Sequence, residues 1–331
     1  LNISKPGYSA ENVTFYNPDF LDGAQTGTLT EKILANVKES KASYPRFDSD
    51  NKRIFIGSLY KNIDYEGGFS QHGVKFLGSG DKTQDAVLIF KRIDSETGNA
   101  EPMVIAKSKA FVIKKDKILS ERAKIFMPVR EDSISHPGIK LNYNVEAETL
   151  TLTRSEEGSG RSPFFNSFHK VEMDFESLNW KMTEGVMEME NITANTESKA
   201  KFQSEHYFDE FDYDRMRGVS EVNPLKILKD LTVEMDTNVI HVSDVARHFK
   251  SDISTMKVFL MNMSNSGFMT YNYDEHKITV KPKLVHYVVS RAGRKDYDAL
   301  QFNSVIKGIP NARLELDSFH LQLNGIGRIF M

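Results

Sequence analysis

The densest group of side chains with chemical potential lies between His206 and Asp214, in the run His-Tyr-Phe-Asp-Glu-Phe-Asp-Tyr-Asp. If this run is extended, Glu210, Asp212 and Asp214 share one face, and carboxylate oxygens are the ligands that Ca²⁺ prefers. The spacing lacks the Asp-x-Asn-x-Asp-Gly loop and the distant bidentate Glu of a calcium loop. The pattern therefore favours a strand with carboxylates towards solvent and aromatic rings towards the core, and a calcium cluster is the alternative.

No group of residues in the sequence has the pattern of a catalytic site. The chain has no cysteine, which excludes disulfides, thiolate metal ligands and a cysteine nucleophile. Its 9 histidines form neither a His-x-His nor a His-Glu-x-x-His pattern. The run Gly78-Ser79-Gly80 lacks the Lys-Ser/Thr of a phosphate loop and is typical of a hairpin turn, and there is no Gly-x-Ser-x-Gly elbow. The sequence therefore predicts a protein without catalytic residues, resident metal or cofactor.

Composition and charge narrow the class of protein further. The chain has 331 residues, 39% hydrophobic and 27% charged, which is the balance of a globular protein large enough for two or three cores. A net charge of -3 provides no general attraction to nucleic acid or to an anionic membrane. No run approaches the roughly 18 apolar residues of a membrane helix. Because the chain opens at Leu1 without a Met and residues 327–331 read as an interrupted strand, we expect it to be part of a longer protein.

Alternating apolar residues predict a β-rich domain over residues 53–218. Short apolar runs, such as residues 87–90, are separated by turn residues such as Gly67-Gly68. The same pattern returns over residues 296–331, where we expect truncated strands. Many short strands at fairly regular spacing predict a multi-stranded antiparallel or stacked sheet of sandwich, jelly-roll or solenoid-like form.

Residues 1–52 are predicted to form a loop or an early edge strand up to about Gly27, followed by a helix over residues 28–43. Ile33 and Val37 recur at helical spacing, and Thr30 is suitable as the N-cap.

Residues 219–295 have the pattern of a separate domain made of helices and a hairpin. Pro224 stands at a natural first helical position, and Ser243 is a suitable N-cap for a short second helix. A third helix begins at Asp252 and ends before Gly267, which occupies the C′ position. Two short apolar runs follow and predict a β-hairpin.

This order of helices and hairpin resembles the winged-helix family. The runs Val242-Ser243-Asp244-Val245-Ala246 and Leu260-Met261-Asn262-Met263-Ser264-Asn265-Ser266-Gly267-Phe268 carry the resemblance, which covers this domain alone. The predicted fold class is therefore α+β and mainly β, with a winged-helix domain inserted in the sheet. Many members of that family read DNA with the third helix, so the resemblance raises the question of nucleic-acid binding.

The charges of this domain favour a role other than reading DNA. A reading helix exposes basic and amide side chains, whereas here Lys257 is offset by Asp252, and the predicted wing tip carries Asp274 and Glu275. We therefore predict a packing or protein-docking unit, with a DNA-binding regulator that has a β-rich sensor domain as the alternative. The candidate interaction surface consists of the basic residues Lys257, Lys277, Lys281, Lys283, Arg291, Arg294 and Lys295.

Most of the chain also resembles a stretch of long, uncharacterised Bacteroidota envelope proteins. A helical domain interrupts a long β-rich segment in both, and the shared motifs include Tyr44-Pro45-Arg46-Phe47, Ser162-Pro163-Phe164-Phe165 and Lys295-Asp296-Tyr297-Asp298. The resemblance implies a non-enzymatic structural role at the cell surface or in the periplasm, with a protein or the remainder of the same chain as partner. The DNA-binding alternative implies a cytoplasmic protein.

Overall fold

A computed structural model describes residues 7–21, 23–32, 38, 42–93, 97–155, 158–192, 199–217, 222–273 and 275–330. The chain divides into two compact units. Unit 1 comprises Leu1–Glu131, Lys140–Leu152 and Lys181–Glu184, and unit 2 comprises Asp132–Ile139, Thr153–Trp180 and Gly185–Met331. The division into four domains predicted from the sequence, at residues 1–52, 53–218, 219–295 and 296–331, stays a prediction.

Unit 1 is made of antiparallel strands that pair in two connected sets. Its strands are β1 (Gly7–Phe15), β2 (Gln25–Lys32), β3 (Arg46–Ser49), β4 (Ile54–Tyr60), β5 (Ile63–His72), β6 (Lys75–Ser79), β7 (Ala86–Ile93), β8 (Ala100–Ser108), β9 (Ala110–Lys114) and β10 (Lys117–Val129). The first half of β5, near Ile63, lies between β4 and β7, and its second half, near Ser70, lies between β3 and β6. Strand β10 likewise pairs with β9 near Lys117 and with β8 near Lys124. The long strands β5 and β10 therefore each pair with different strands at their two ends and join them into one sheet.

Aromatic rings fill the core of unit 1. Phe76 is fully buried, and its ring centroid lies 4.7 Å from that of Phe69 and 5.4 Å from that of Tyr65. Alternate residues of each strand point into this core, which is the period of two that predicted the strands. The prediction of a mainly β protein with a multi-stranded antiparallel sheet is confirmed.

The helix predicted near the N-terminus is wrong over its first residues. Strand β2 pairs with β1 and β3, and Leu29 lies opposite both Ala10 and Phe47. Three alternating threonines, including Thr30, suit a strand because their branched side chains pack well on a pleated surface. The remainder of the predicted helix, residues 33–43, falls largely outside the described residues.

The sheet of unit 2 is also antiparallel and holds a helical insertion. Its strands are β13 (Phe164–Asn166), β14 (Val171–Asp174), β16 (Val186–Glu190), β17 (Ala200–Ser204), β21 (Gln301–Ser304), β22 (Ala312–Glu315), β23 (Leu321–Leu323) and β24 (Ile326–Phe330). Three further strands, β11 (Asp132–Asn144), β12 (Thr149–Thr153) and β15 (Ser177–Lys181), belong partly to each unit. Strand β14 pairs with β13 and β17, β17 pairs with β21, and β21 pairs with β24. The strands predicted for residues 296–331 are present.

The insertion, called the helical module below, is placed between β17 and β21. It consists of α1 (Glu210–Arg217), α2 (Pro224–Glu234), β18 (Val239–His241), α3 (Val242–His248), α4 (Ile253–Asn265), β19 (Met269–Asn272), β20 (Lys277–Val280) and α5 (Pro282–Arg291). The three short strands form their own antiparallel sheet in the order β18-β20-β19. Its core is continuous and apolar, and it includes Leu225, Leu228, Val245, Leu260, Phe268, Ile278, Leu284 and Tyr287.

Local capping chemistry sets most limits of the module's helices. Asn223 caps α2 by accepting a hydrogen bond from the Leu225 N–H at 2.9 Å, and Asp252 caps α4 by accepting one from the Thr255 N–H at 2.8 Å. The predicted N-cap of α3 is wrong, because the cap is His241, which accepts from the Ser243 N–H. None of the helices in the described ranges combines the length and apolar composition that a membrane crossing requires.

Candidate interaction surface

The predicted basic residues do not gather on one outward face of the helical module. Lys257 lies on α4, Lys277 on β20, and Lys281 and Lys283 at the start of α5. Arg291 ends α5, and the exposed Arg294 and Lys295 follow it. Of the seven, only Lys281 and Lys283 share a described neighbour, the carboxylate of Glu172 on β14.

Glu172 and Lys283 form a buried ion pair inside unit 2. The two side chains are 9% and 10% exposed, so both charges have lost most of their water. The Lys283 amine also lies 5.4 Å from the ring centroid of Phe268. A buried carboxylate and amine are stable only together, so this pair fixes the start of α5 against β14.

Glu172 also balances two further lysines. Burial lowers the pKa of Lys281, and burial followed by repulsion from Lys283 lowers the pKa of Lys201, while Glu172 favours the charged form of both amines. Lys201 lies on β17, with its Cα opposite that of Asp174 on β14. Glu172 is therefore the central anion of a partly buried cationic group.

A second contact joins the end of α4 to the loop before β13. The Ser162 hydroxyl donates to the Ser264 carbonyl at 3.0 Å and lies 3.2 Å from the Ser264 hydroxyl. Both serines are fully buried. A short 3-10 helix, Gly158–Arg161, precedes Ser162 and leads the chain to this contact.

Gly267 brings the backbone after α4 close to the same carboxylate. Its φ is +79°, and an added Cβ would lie 2.9 Å from Oε1 of Glu172 and 3.2 Å from Cγ of Pro163. A glycine is needed here both for the left-handed backbone and for the close approach. We call Ser162, Glu172, Ser264, Gly267 and Lys283 the attachment face.

Replacing Gly267 by alanine is therefore expected to destabilise unit 2 by about 2 to 3 kcal/mol, from backbone strain plus displacement of Glu172. Gly293 is a matched control, because its φ is +65° and an added Cβ would meet no atom within 4 Å. Gly293→Ala should lose only the backbone part, about 1 kcal/mol. Urea unfolding followed by the fluorescence of Trp180, which is buried and the single tryptophan, measures both. Equal losses would contradict a role for the Glu172 contact.

His136 holds the backbone of the attachment face at Ser162. Its Nε2–H donates to the Ser162 carbonyl at 2.9 Å, and its Nδ1 accepts from the Gly138 N–H at 3.1 Å. Burial lowers the pKa of His136 to about 3, despite the hydrogen bond to Ser162. The ring is therefore neutral and holds the backbone carbonyl next to the serine that contacts α4.

Ion pairs inside the chain engage several of the predicted surface cations. The Arg291 guanidinium lies 3.0 Å from the Glu210 carboxylate and 3.5 Å from that of Asp214, and Lys277 lies 3.3 Å from Glu275. Lys257, Arg294 and Lys295 have no ion pair among the described residues. The outward side of α4 thus presents Lys257 together with Val258, which is 58% exposed.

The predicted calcium cluster is corrected by its secondary structure. Glu210, Asp212 and Asp214 lie on α1, where residues two apart point in different directions, so the extended geometry behind the calcium hypothesis is wrong. Asp212 pairs with Arg215 at 2.8 Å, and the other two carboxylates face Arg291. Within the described part of the chain, no group of three or more His, Cys, Asp or Glu is placed to hold a metal ion.

Sequence reasoning missed helix α5 and the attachment face. The helix had a usable signal: Pro282 at the first helical position, apolar Leu284 and Val288 at helical spacing, and Gly293 beyond the end. The attachment face had none, because its partners come from segments that the sequence keeps far apart. No family model, curated protein or solved structure matches this chain.

Proposed function

We propose that this chain is a non-enzymatic scaffold segment in which the helical module is a packing and protein-docking unit. The order α2, β18, α3, α4, β19, β20 supports the resemblance to the winged-helix family. The proposal departs from the DNA-reading role of many members of that family, because basic residues of the module pair with carboxylates of the same chain.

The observation that carries the proposal is that cations of the module are paired with carboxylates of the same chain. Lys283 is buried against Glu172, and Arg291 faces two carboxylates of α1, whose combined negative charge exceeds its own and would repel a phosphate. A DNA-binding surface leaves such residues free for phosphates, since phosphate contacts supply most non-specific affinity. Here the same residues hold the module to its sheet and hold α1 to α5.

The outward side of α4 suits a protein partner better than a duplex. Ile253 and Val258 are exposed apolar residues on this helix, and Lys257 is its single basic residue. Interface cores are depleted in charge and include apolar anchors, whereas DNA interfaces are strongly positive. With the resemblance to Bacteroidota envelope proteins, these features lead us to propose a structural segment of a bacterial cell envelope.

The test is a titration of the 331-residue chain into a fluorescent random duplex of about 30 base pairs at salt concentrations from about 50 to 200 mM. We expect no saturable binding below about 100 μM at the higher salt, because few cations are free to displace counterions. Micromolar binding that weakens steeply with salt, and that is reduced by Lys257→Gln, would favour the DNA-binding regulator instead. Lys140→Gln, an exposed lysine of unit 1, is the charge-matched control.

A further inference from the structure

A small cleft opens in unit 1 and takes no part in the function proposed above. Its volume is about 220 Å³. The lining comes from the turn between β4 and β5, the end of β7, strand β8, the region of β11 and the turn after it, and residues 182–183. All of these segments belong to unit 1, so the cleft is a feature of one compact body.

The floor of the cleft is apolar and aromatic. Ile63, Phe90 and Tyr143 line it and are almost fully buried as side chains. The ring centroids of Phe90 and Tyr143 lie 5.1 Å apart in an edge-to-face arrangement, which holds both rings rigidly. Such a floor offers a preformed surface for a flat or branched apolar group.

The hydroxyl of Tyr143 is the polar group of this floor. Tyr143 is 4% exposed as a whole residue, but its hydroxyl, which forms no hydrogen bond to another described residue, is not among the buried side-chain atoms without a partner and is therefore open to water in the cleft. Two other tyrosines of unit 1 do have partners: the Tyr60 hydroxyl donates to the Lys114 carbonyl, and the Tyr65 hydroxyl donates to the Gly68 carbonyl at 2.6 Å. The Tyr143 hydroxyl differs from these two because it is left open to water, so a ligand in the cleft can accept its hydrogen bond.

Burial, followed by the nearby Glu148 carboxylate, raises the pKa of Tyr143 to about 12. The phenol therefore stays protonated at neutral pH and acts as a donor towards the cleft.

The rim of the cleft carries three basic side chains, each of which pairs with a carboxylate of the chain. Lys61, Lys91 and Arg92 line it, against the single carboxylate of Glu148. Lys91 is held by Asp64 at 2.7 Å, but Lys61 and Arg92 are 74% and 60% exposed and take part in surface pairs with carboxylates. Exposed pairs of this kind contribute little, so both cations can exchange a protein carboxylate for one on a ligand.

We propose that this cleft binds a small carboxylate with a short apolar or aromatic body. The body lies on Ile63, Phe90 and the Tyr143 ring, while the carboxylate accepts the Tyr143 hydrogen bond and faces Lys61 or Arg92. The volume is below the roughly 300 Å³ at which pockets for drug-sized ligands begin, which limits the ligand to about the size of benzoate. Inorganic phosphate has no body to place on the aromatic floor, and a neutral amide has no charge for the rim.

The test is a titration of the whole chain with benzoate, followed by saturation-transfer NMR of the ligand. We expect a dissociation constant on the order of 1 mM, which is the range for so few ligand atoms. Benzamide, the neutral analogue, is expected to bind at least about 5-fold more weakly, and phosphate is not expected to displace benzoate.

Two substitutions assign the binding to this cleft. Tyr143→Phe keeps the ring and removes only the unpartnered hydroxyl, so it should weaken benzoate binding about 10-fold and leave the unfolding temperature almost unchanged. Lys61→Gln should weaken binding about 3-fold through the lost charge. Tyr65→Phe and Lys140→Gln are the matched controls outside the cleft, and both should bind benzoate as the wild type does.

Three results would overturn the proposal. They are the absence of saturable benzoate binding up to about 20 mM, equal binding of benzoate and benzamide, and wild-type affinity in Tyr143→Phe. None of them bears on DNA or on the attachment face, so the outcome is independent of the function proposed for the helical module.

Discussion

Replacing Glu172 by glutamine is expected to lower the free energy of unfolding of unit 2 by about 3 kcal/mol or more. The substitution leaves the buried Lys283 amine without its counter-charge and removes the carboxylate that balances Lys281 and Lys201. Breaking one side of a buried ion pair typically costs about 3 to 5 kcal/mol, since the remaining charge has neither water nor a partner. Urea unfolding followed by Trp180 fluorescence measures the loss, because Trp180 lies in unit 2.

Two controls separate this charge effect from a general loss of packing. The double variant Glu172→Met/Lys283→Met removes both charges and should recover most of the stability, to within about 2 kcal/mol of the wild type. Glu275→Gln breaks the exposed pair with Lys277 and should cost less than about 1 kcal/mol. If Glu172→Gln costs no more than Glu275→Gln, the ion pair does not secure the module.

The second large effect is expected in acid. The pKa of His136 is lowered to about 3 by burial, whereas an unfolded histidine titrates near 6.5. Between these values the unfolded state binds a proton that the folded state refuses, so stability is complete above about pH 6.5 and falls as the pH is lowered towards 3. By about pH 4 the loss from this one residue should reach about 3 kcal/mol.

Comparison with His136→Gln isolates this contribution from the carboxylates, which titrate in the same range. Glutamine can keep a hydrogen bond to the Ser162 carbonyl but has no proton to gain. We expect the variant to be less stable than the wild type at about pH 7 and the difference to shrink by about 3 kcal/mol by pH 4. Parallel stability curves for the two proteins would show that His136 does not titrate on unfolding.

Features decided within a few neighbouring residues were predictable from the sequence. The start of α2 at Pro224, the start of α4 near Asp252 and the C′ position of Gly267 were all predicted, because each rests on local hydrogen bonding or backbone conformation. The strands of unit 1 were predictable for a related reason. Apolar and polar residues alternate along these strands because one side of the sheet is buried.

The errors arose where a local pattern had two solutions. Leu29 fits a helical stripe, but pairing with both β1 and β3 places it in a strand. The acidic run fits a strand, but Asp209 accepts a hydrogen bond from the Asp212 N–H at 2.8 Å and starts helix α1. Tertiary pairing decided the first case and an overlooked cap decided the second.

The attachment face was beyond the reach of a single sequence. Ser162 meets Ser264 across 102 positions, and Glu172 meets Lys283 across 111. A serine in a polar loop and a glutamate in an alternating strand are ordinary residues until the fold brings their partners to them. The Tyr143 cleft was hidden for the same reason, since its lining residues come together only in the folded chain.

The adjacency of β17 and β21 has a consequence for the route by which the chain folds. Gln203 and Gln301 are hydrogen-bonded neighbours at 2.7 Å although 98 positions separate them. Closing a floppy loop of that length costs about 3 kcal/mol more than closing a short hairpin. A module that has already collapsed around its own apolar centre holds its two ends together and removes most of that entropic penalty. We therefore expect the inserted helices to form early and strands β17 and β21 to pair afterwards.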